Sequence, residues 1–116
     1  MRRLFLVSAL VFALCVPSFA LSDSEYLRMK KASAAFAEAD EFLSDAYSNL
    51  KNVLPRSEFA NIREEQREWL RTGRDEDARS YMDDGYSKTE AYTKATNDRA
   101  EMLYHMFQMY KLERGE

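Results

Sequence analysis

The side chains that could support catalysis or metal binding in this chain are few and scattered. His105 is the only histidine and Cys15 the only cysteine among 116 residues. A serine triad would have to use His105, and neither a nucleophile elbow nor a glycine-rich oxyanion loop accompanies it. The 20 acidic residues look dispersed over helix surfaces, whereas carboxylate catalysis needs two in one pocket with separated pKa values. No glycine-rich phosphate loop is present, and "DEDARSYMDDG" lacks the alternating ligands of a calcium loop. One cluster has ligand character. Met102, His105, Met106 and Met109 share one face of a helix, and thioethers with imidazole suit Cu(I). The same face fits a methionine-lined core or interface, because Met fills irregular gaps. The expected chemistry is binding rather than catalysis, with no cofactor and no metal assigned. Seven tyrosines, at 26, 47, 81, 86, 92, 104 and 110, point the same way. A small helical core cannot bury them all, and exposed Tyr with Arg and Trp is the composition of interface hot spots.

The chain opens MRRLFLVSALVFALCVPSFA. Arg2 and Arg3 form a positive start, Leu4 to Val16 is apolar, and Ser18-Phe19-Ala20 places small residues at −3 and −1. This reads as a secretory leader over residues 1–20, cleaved after Ala20. The apolar run is shorter than the roughly 20 residues a spanning helix needs, which argues against an uncleaved anchor. A lipoprotein would need a small residue before Cys15, but Leu14 stands there. Cleavage leaves residues 21–116 as one domain, without cysteine, expected in the periplasm or outside the cell. No stable membrane insertion is expected once the leader is gone. Removing Arg2 and Arg3 leaves 15 basic and 20 acidic residues, a net charge of −5. That charge argues against nucleic acid and is compatible with a basic partner.

The elements that must position these residues are helical. Glycine is nearly absent, and Ala, Glu, Arg, Leu and Met outnumber Val and Ile. A first helix is expected from about Asp23 to Leu54, opened by a Ser22/Glu25 capping box and ended by Pro55. Its apolar stripe runs Met29, Ala32, Phe36, Ala39, Leu43, Ala46, Tyr47, Leu50 and Leu54. A second starts with Ser57 as N-cap, carries Phe59, Ile62, Gln66, Trp69 and Leu70, and meets Gly73. Ala78, Tyr81 and Met82 resume the pattern before Asp84-Gly85 stops it. A third runs from Ser87, boxed with Glu90, to about Leu112. Its inner face is Tyr92, Ala95, Arg99, Met102, Leu103, Met106 and Tyr110. The expected fold is an all-α antiparallel three-helix bundle, with a short fourth helix around residues 75–84 as the variant.

Two polar residues lie on these stripes, Gln66 and Arg99. A buried charge needs a counter-charge, so Arg99 predicts an acidic partner, Asp75 or Asp40. The alternative is that Arg99 lies at the margin of the stripe and reaches water.

Three segments carry a family resemblance. "ADEFLSDAYSNL" (39–50) resembles the pattern A-D-x-x-L-N-x-x-Y-x-x-L, with Leu43, Tyr47 and Leu50 in place and Ser44 where Asn is usual. "EQREWLRTGRDEDA" resembles Q-x-x-W-L-x-x-R-D-x-x-C through Gln66, Trp69, Leu70, Arg74 and Asp75. "AYTKATNDRAEML" matches at Thr96, Arg99 and Leu103. The patterns are those of the LprI-like family of small bacterial envelope proteins, named for a mycobacterial lysozyme inhibitor, and the likeness spans about residues 36–107. It implies an extracytoplasmic helical domain that binds and inhibits a basic lysozyme-type protein. The alternative is a structural or accessory envelope protein without inhibitory activity. The matched positions read as structural, so no inhibitory residue carries over. In two respects the chain departs from the family. Ala78 and Ala91 stand where many members carry cysteines, a loss worth about 2–4 kcal/mol if those pair. Arg74 also lies one residue farther from Trp69 than usual, and the extra residue falls at Thr72-Gly73. An inserted residue is absorbed as a π-bulge or a break, and Gly73 makes either easy.

Overall fold

The computed structural model describes residues 20–115, and every regular element among them is helical. The expected leader, with Cys15, lies outside the described residues apart from Ala20. Helix α1 (Asp23–Ala32) opens with its capping box formed. Ser22 Oγ accepts the Glu25 N–H at 3.2 Å, and Glu25 Oε1 accepts the Ser22 N–H at 3.3 Å. Asp23 and Glu25 in the first turn and Lys30 and Lys31 in the last complement the helix dipole.

The first helix does not run unbroken to Leu54. Ser33 leaves the helical region (φ −126°, ψ 112°) and starts a new helix, α2 (Ala34–Val53). Its hydroxyl accepts the Phe36 N–H at 3.1 Å, the local alternative that serine offers to a continuing helix. Tertiary contacts favour the break. Tyr26 of α1 meets Phe36 edge-on at 5.8 Å and donates its hydroxyl to Asp40 at 2.6 Å. Ala32, expected on the inner stripe, is exposed as a result.

Leu54 turns extended before Pro55, as expected. Helix α3 (Arg56–Glu68) then begins with Pro55 at the cap position and no side-chain cap. Ser57 therefore lies inside the first turn rather than capping it; the fixed φ of proline (here −58°) starts the helix instead. The chain continues through a π turn, Trp69–Gly73, into α4 (Arg74–Asp83) without leaving helical dihedrals. The Arg74 N–H reaches back five residues to the Trp69 carbonyl, so the inserted residue is absorbed within the helix, at the glycine that marked it. Gly85 (φ 103°) ends α4, with the Tyr86 N–H on the Tyr81 carbonyl and the Gly85 N–H on that of Met82. Helix α5 (Lys88–Glu113) starts from the Ser87/Glu90 box.

Helix α5 packs along α2 and against α4, and α1 lies on α2. Small residues allow this approach: Ala39, Ala46, Ala78, Ala91, Ala95 and Ala100 are all essentially buried. Two clusters form the core. One joins Leu43, Ala46 and Leu50 of α2 to Phe59 and Ile62 of α3, Trp69, and Ala100 and Leu103 of α5. The other joins Leu21, Phe36, Ala78, Ala91, Tyr92 and Ala95. Ala78 and Ala91, the two positions where the resemblance implies cysteines, share this second cluster. Leu70 and Met102 fall outside the core, 45% and 42% exposed, against expectation. Leu70 lies about 100° round the helix from buried Trp69, on the side that opens to solvent here.

Gly73 supplies a prediction of unusual sign. Alanine in place of glycine inside a helix ordinarily stabilises by about 1 kcal/mol. Here a Cβ on Gly73 would lie 2.8 Å from Cδ1 of Trp69. Overpacking of this kind costs about 1–3 kcal/mol, and the indole is pinned, so the clash wins. Gly73→Ala should lower the urea midpoint by the equivalent of about 1 kcal/mol, the difference between the two effects. A more stable Gly73→Ala protein would contradict this packing.

Candidate functional site

The polar motif residues form a chain across the helix interfaces. Arg99 Nε donates to Gln66 Oε1 at 2.8 Å, joining α5 to α3. The guanidinium carbon stands 5.9 Å from the centre of the Trp69 ring. Trp69 Nε1 donates to Asp77 Oδ2 at 3.0 Å, spanning the π turn. The expected counter-charges, Asp75 and Asp40, are both engaged elsewhere. Burial lowers the Arg99 pKa from its ordinary value, and the carboxylates of Glu65 and Asp77 oppose that fall. The charge is thus held by a neutral amide, an indole face and two carboxylates at longer range, although one terminal guanidinium nitrogen is buried without a hydrogen-bond partner.

Asp75 serves a different contact. It accepts the hydroxyl of Tyr92, and its Oδ1 accepts the Leu21 N–H at 3.3 Å. Arg74 lies with its guanidinium carbon 6.0 Å from the Tyr92 ring centre. Asp40 accepts from Tyr26 and pairs with Lys30 at 3.0 Å.

Three tyrosines are raised, Tyr26 first by burial and then by its hydrogen bond to Asp40. Tyr92 is raised, first by burial and then by the Asp75 carboxylate. The hydrogen bond to Asp98 is the main cause that pushes Tyr81 up to about 12. A phenol with a raised folded pKa stabilises the fold below its unfolded value near about 10 and ceases to do so as pH climbs past the folded value. Stability should therefore fall above about pH 10, less steeply in Tyr92→Phe. Tyr81→Phe should remove one ionisation near pH 12 from a phenolate absorbance titration. Curves unaltered by either substitution would contradict the assignment.

Four motif positions meet in one open cleft of about 570 Å³: Leu43 and Tyr47 of α2, Gln66 of α3, and Leu70 of the π turn. Tyr47 is braced by Phe59, ring centres 5.1 Å apart. The rim carries Lys30, Arg63 and Arg67, with Tyr26 and Asp40 at the α1 end. The floor is apolar and the rim is rich in hydrogen-bond donors, an arrangement suited to a protein surface that presents acceptors. Sequence reasoning missed Lys30, Arg63 and Arg67, which belong to no motif, and reached Tyr26 only as one of seven tyrosines. No motif spacing marks them; they reach the cleft through the way α1, α2 and α3 lie together.

The methionine–histidine face of α5 opens largely to solvent. Met102, His105 and Met109 are exposed and Met106 is half-buried. His105, Met106 and Met109 line a separate groove of about 430 Å³ with Leu50, Leu54 and Ile62. Among the described residues, no three His, Cys, Asp or Glu side chains are grouped to hold a metal. No helix among them is long and apolar enough to cross a membrane.

A family model described as "Lysozyme inhibitor LprI" matches residues 22–111, nearly all of the described chain. The chain belongs to the LprI family. No curated protein and no solved structure matches it.

Within this LprI domain the motif positions separate into two groups. Trp69, Arg74, Asp75, Thr96, Arg99 and Leu103 are buried or half-buried, and those with polar contacts in view tie helices together. Leu70 is exposed, and Tyr47 is half-buried at the cleft. Gln66 belongs to both groups, binding Arg99 while lining the cleft floor.

Proposed function

We propose that this LprI domain is an exported, non-enzymatic protein-binding module that inhibits a lysozyme-type muramidase, with the cleft between α2 and α3 as its contact surface. The observation that carries the reading is Leu70. It is a motif residue left 45% exposed at the mouth of an apolar cleft whose rim bears Arg63 and Arg67. A structural role does not require that exposure, and an apolar anchor inside a polar rim is the anatomy of a binding surface.

Charge supports the pairing at two ranges. A domain of net charge −5, with exposed Glu38, Glu41 and Asp45 on α2 and Glu76, Asp83 and Asp84 at α4, attracts a basic protein over distance. At contact, muramidases carry paired catalytic carboxylates, and the cationic rim offers donors to such groups. The leader directs the chain out of the cytoplasm, cleavage after Ala20 releases it, and the helices then act as an antiparallel three-rod scaffold.

Lysis of a cell-wall suspension by several purified muramidases, with the mature protein in large molar excess, tests this. Slowed lysis by at least one basic muramidase is expected. Undiminished rates for all would overturn it. Tight binding with full lytic rates would favour an accessory envelope role instead, a reading to which the structural use of most motif positions lends support.

A further inference from the structure

Leu21 sits immediately after the expected cleavage point. It is only 9% exposed and packs with Phe36, Ala78, Ala91, Tyr92 and Ala95. The three residues that follow it, Ser22, Asp23 and Ser24, are all exposed. Its backbone nitrogen lies 3.3 Å from Oδ1 of Asp75, 54 residues away, and the same oxygen accepts the Tyr92 hydroxyl. Chain starts are poorly ordered unless tied down, and this one is tied to α4 and α5 through a carboxylate.

We propose that removal of the leader converts the Leu21 nitrogen into an α-ammonium that forms a partly buried ion pair with Asp75, so that processing itself locks the N-terminus onto α4 and α5. The inference rests on the export reading above. Hydrolysis of the Ala20–Leu21 amide adds one water. Ala20 leaves with the leader as a carboxylate that carries the water oxygen, and Leu21 keeps the nitrogen and takes up both protons of the water. A single neutral N–H donor becomes a cation with three, charged at neutral pH because a free α-amine has a pKa of about 7.7–8.0. The nitrogen already stands at the acceptor, and a charge-assisted bond is about twice as strong as a neutral one.

The surrounding groups leave the site to the new charge. Tyr92 approaches from α5 as a neutral donor, and Arg74 from α4 lies over the Tyr92 ring. Glu25 of α1 is paired with Lys88 at 3.1 Å. The Leu21 side of the scissile bond is buried in the fold, so the peptidase acts before the domain closes, and the ion pair belongs to the mature state alone.

The test uses the protein exported from cells. Intact mass first establishes whether the mature chain begins at Leu21; a start elsewhere overturns the export step, whatever follows. Urea unfolding is then compared for chains beginning at Leu21 and chains retaining Ala20, each with Asp75 or with Asp75→Asn. Retained Ala20 restores a neutral amide at Leu21, and the asparagine side chain keeps an acceptor for Tyr92. Retaining Ala20 should lower the folded-to-unfolded ratio about tenfold with Asp75, the equivalent of one unit of α-amine pKa, and leave it nearly unchanged in the Asp75→Asn background. Equal losses in both backgrounds, or none, would overturn the ion pair. If the Asp75→Asn chains do not fold, nitrogen NMR of the Leu21 amine decides: a pKa raised above the free value supports the pair, and an unshifted one overturns it.

Discussion

Trp69→Ala is expected to destabilise the domain by about 3–5 kcal/mol, the range for truncating a large buried aromatic. Trp69 is only 8% exposed and sits in the cluster that joins α2, α3 and α5. Two further losses accompany the cavity. Arg99 loses the ring its guanidinium faces, and the turn loses the Trp69–Asp77 bond that spans it. Asp77 is exposed and can turn to water, so the second loss is small. The first is larger, because a half-buried cation is left with fewer partners. Small domains have only about 5–15 kcal/mol in total, and a chain cut after Ala20 has no cysteine to staple it. The substitution therefore removes much of the available stability. Thermal unfolding followed by circular dichroism measures it. Trp69→Phe separates the terms: it keeps most of the ring, loses the N–H, and should cost on the order of 1–2 kcal/mol. A loss below about 1 kcal/mol in Trp69→Ala would show that the residue is not the anchor described.

The second large effect concerns binding. Leu70→Asp places a carboxylate at the mouth of the cleft, and the double substitution Arg63→Glu with Arg67→Glu reverses its rim. If a muramidase docks there, each should weaken the complex by about 30-fold or more, the size expected for a hot spot of about 2 kcal/mol. Stability should barely move. Leu70 and both arginines are exposed, and the Arg67–Glu64 pair at 3.1 Å is a surface pair worth at most about 1 kcal/mol. Salt separates the two contributions. Long-range attraction by α2 and α4 weakens as ionic strength rises, whereas the loss caused by Leu70→Asp should persist.

Local rules made much of the fold legible. Both capping boxes, at Ser22/Glu25 and Ser87/Glu90, depend on residues three apart and form as read. The helix irregularity at Gly73 was visible because one residue too many separated Trp69 from Arg74. Ser33 was not visible. Apolar spacing continues across it, and the break is decided by Tyr26 reaching Phe36 and Asp40, contacts that periodicity does not encode. The same limit applies to Arg99. Its position on an inner stripe demanded a partner, but only the geometry of the π turn decides that Gln66 and Trp69 supply it while Asp75 turns to Tyr92 and Leu21. In the cleft, the motif spacing of Leu43, Tyr47, Gln66 and Leu70 fits a structural role equally well. Their common opening to solvent, and the cations around it, come from how α2 and α3 lie together.

The most direct measurement is a calorimetric titration of a basic muramidase with mature wild-type protein and with Leu70→Asp, run beside unfolding curves for both. Saturable binding by the wild type, a loss of about 30-fold or more in Leu70→Asp, and superimposable unfolding curves are expected. Equal affinity for both proteins would contradict this expectation, because the exposed motif residue at the cleft would then take no part in recognition.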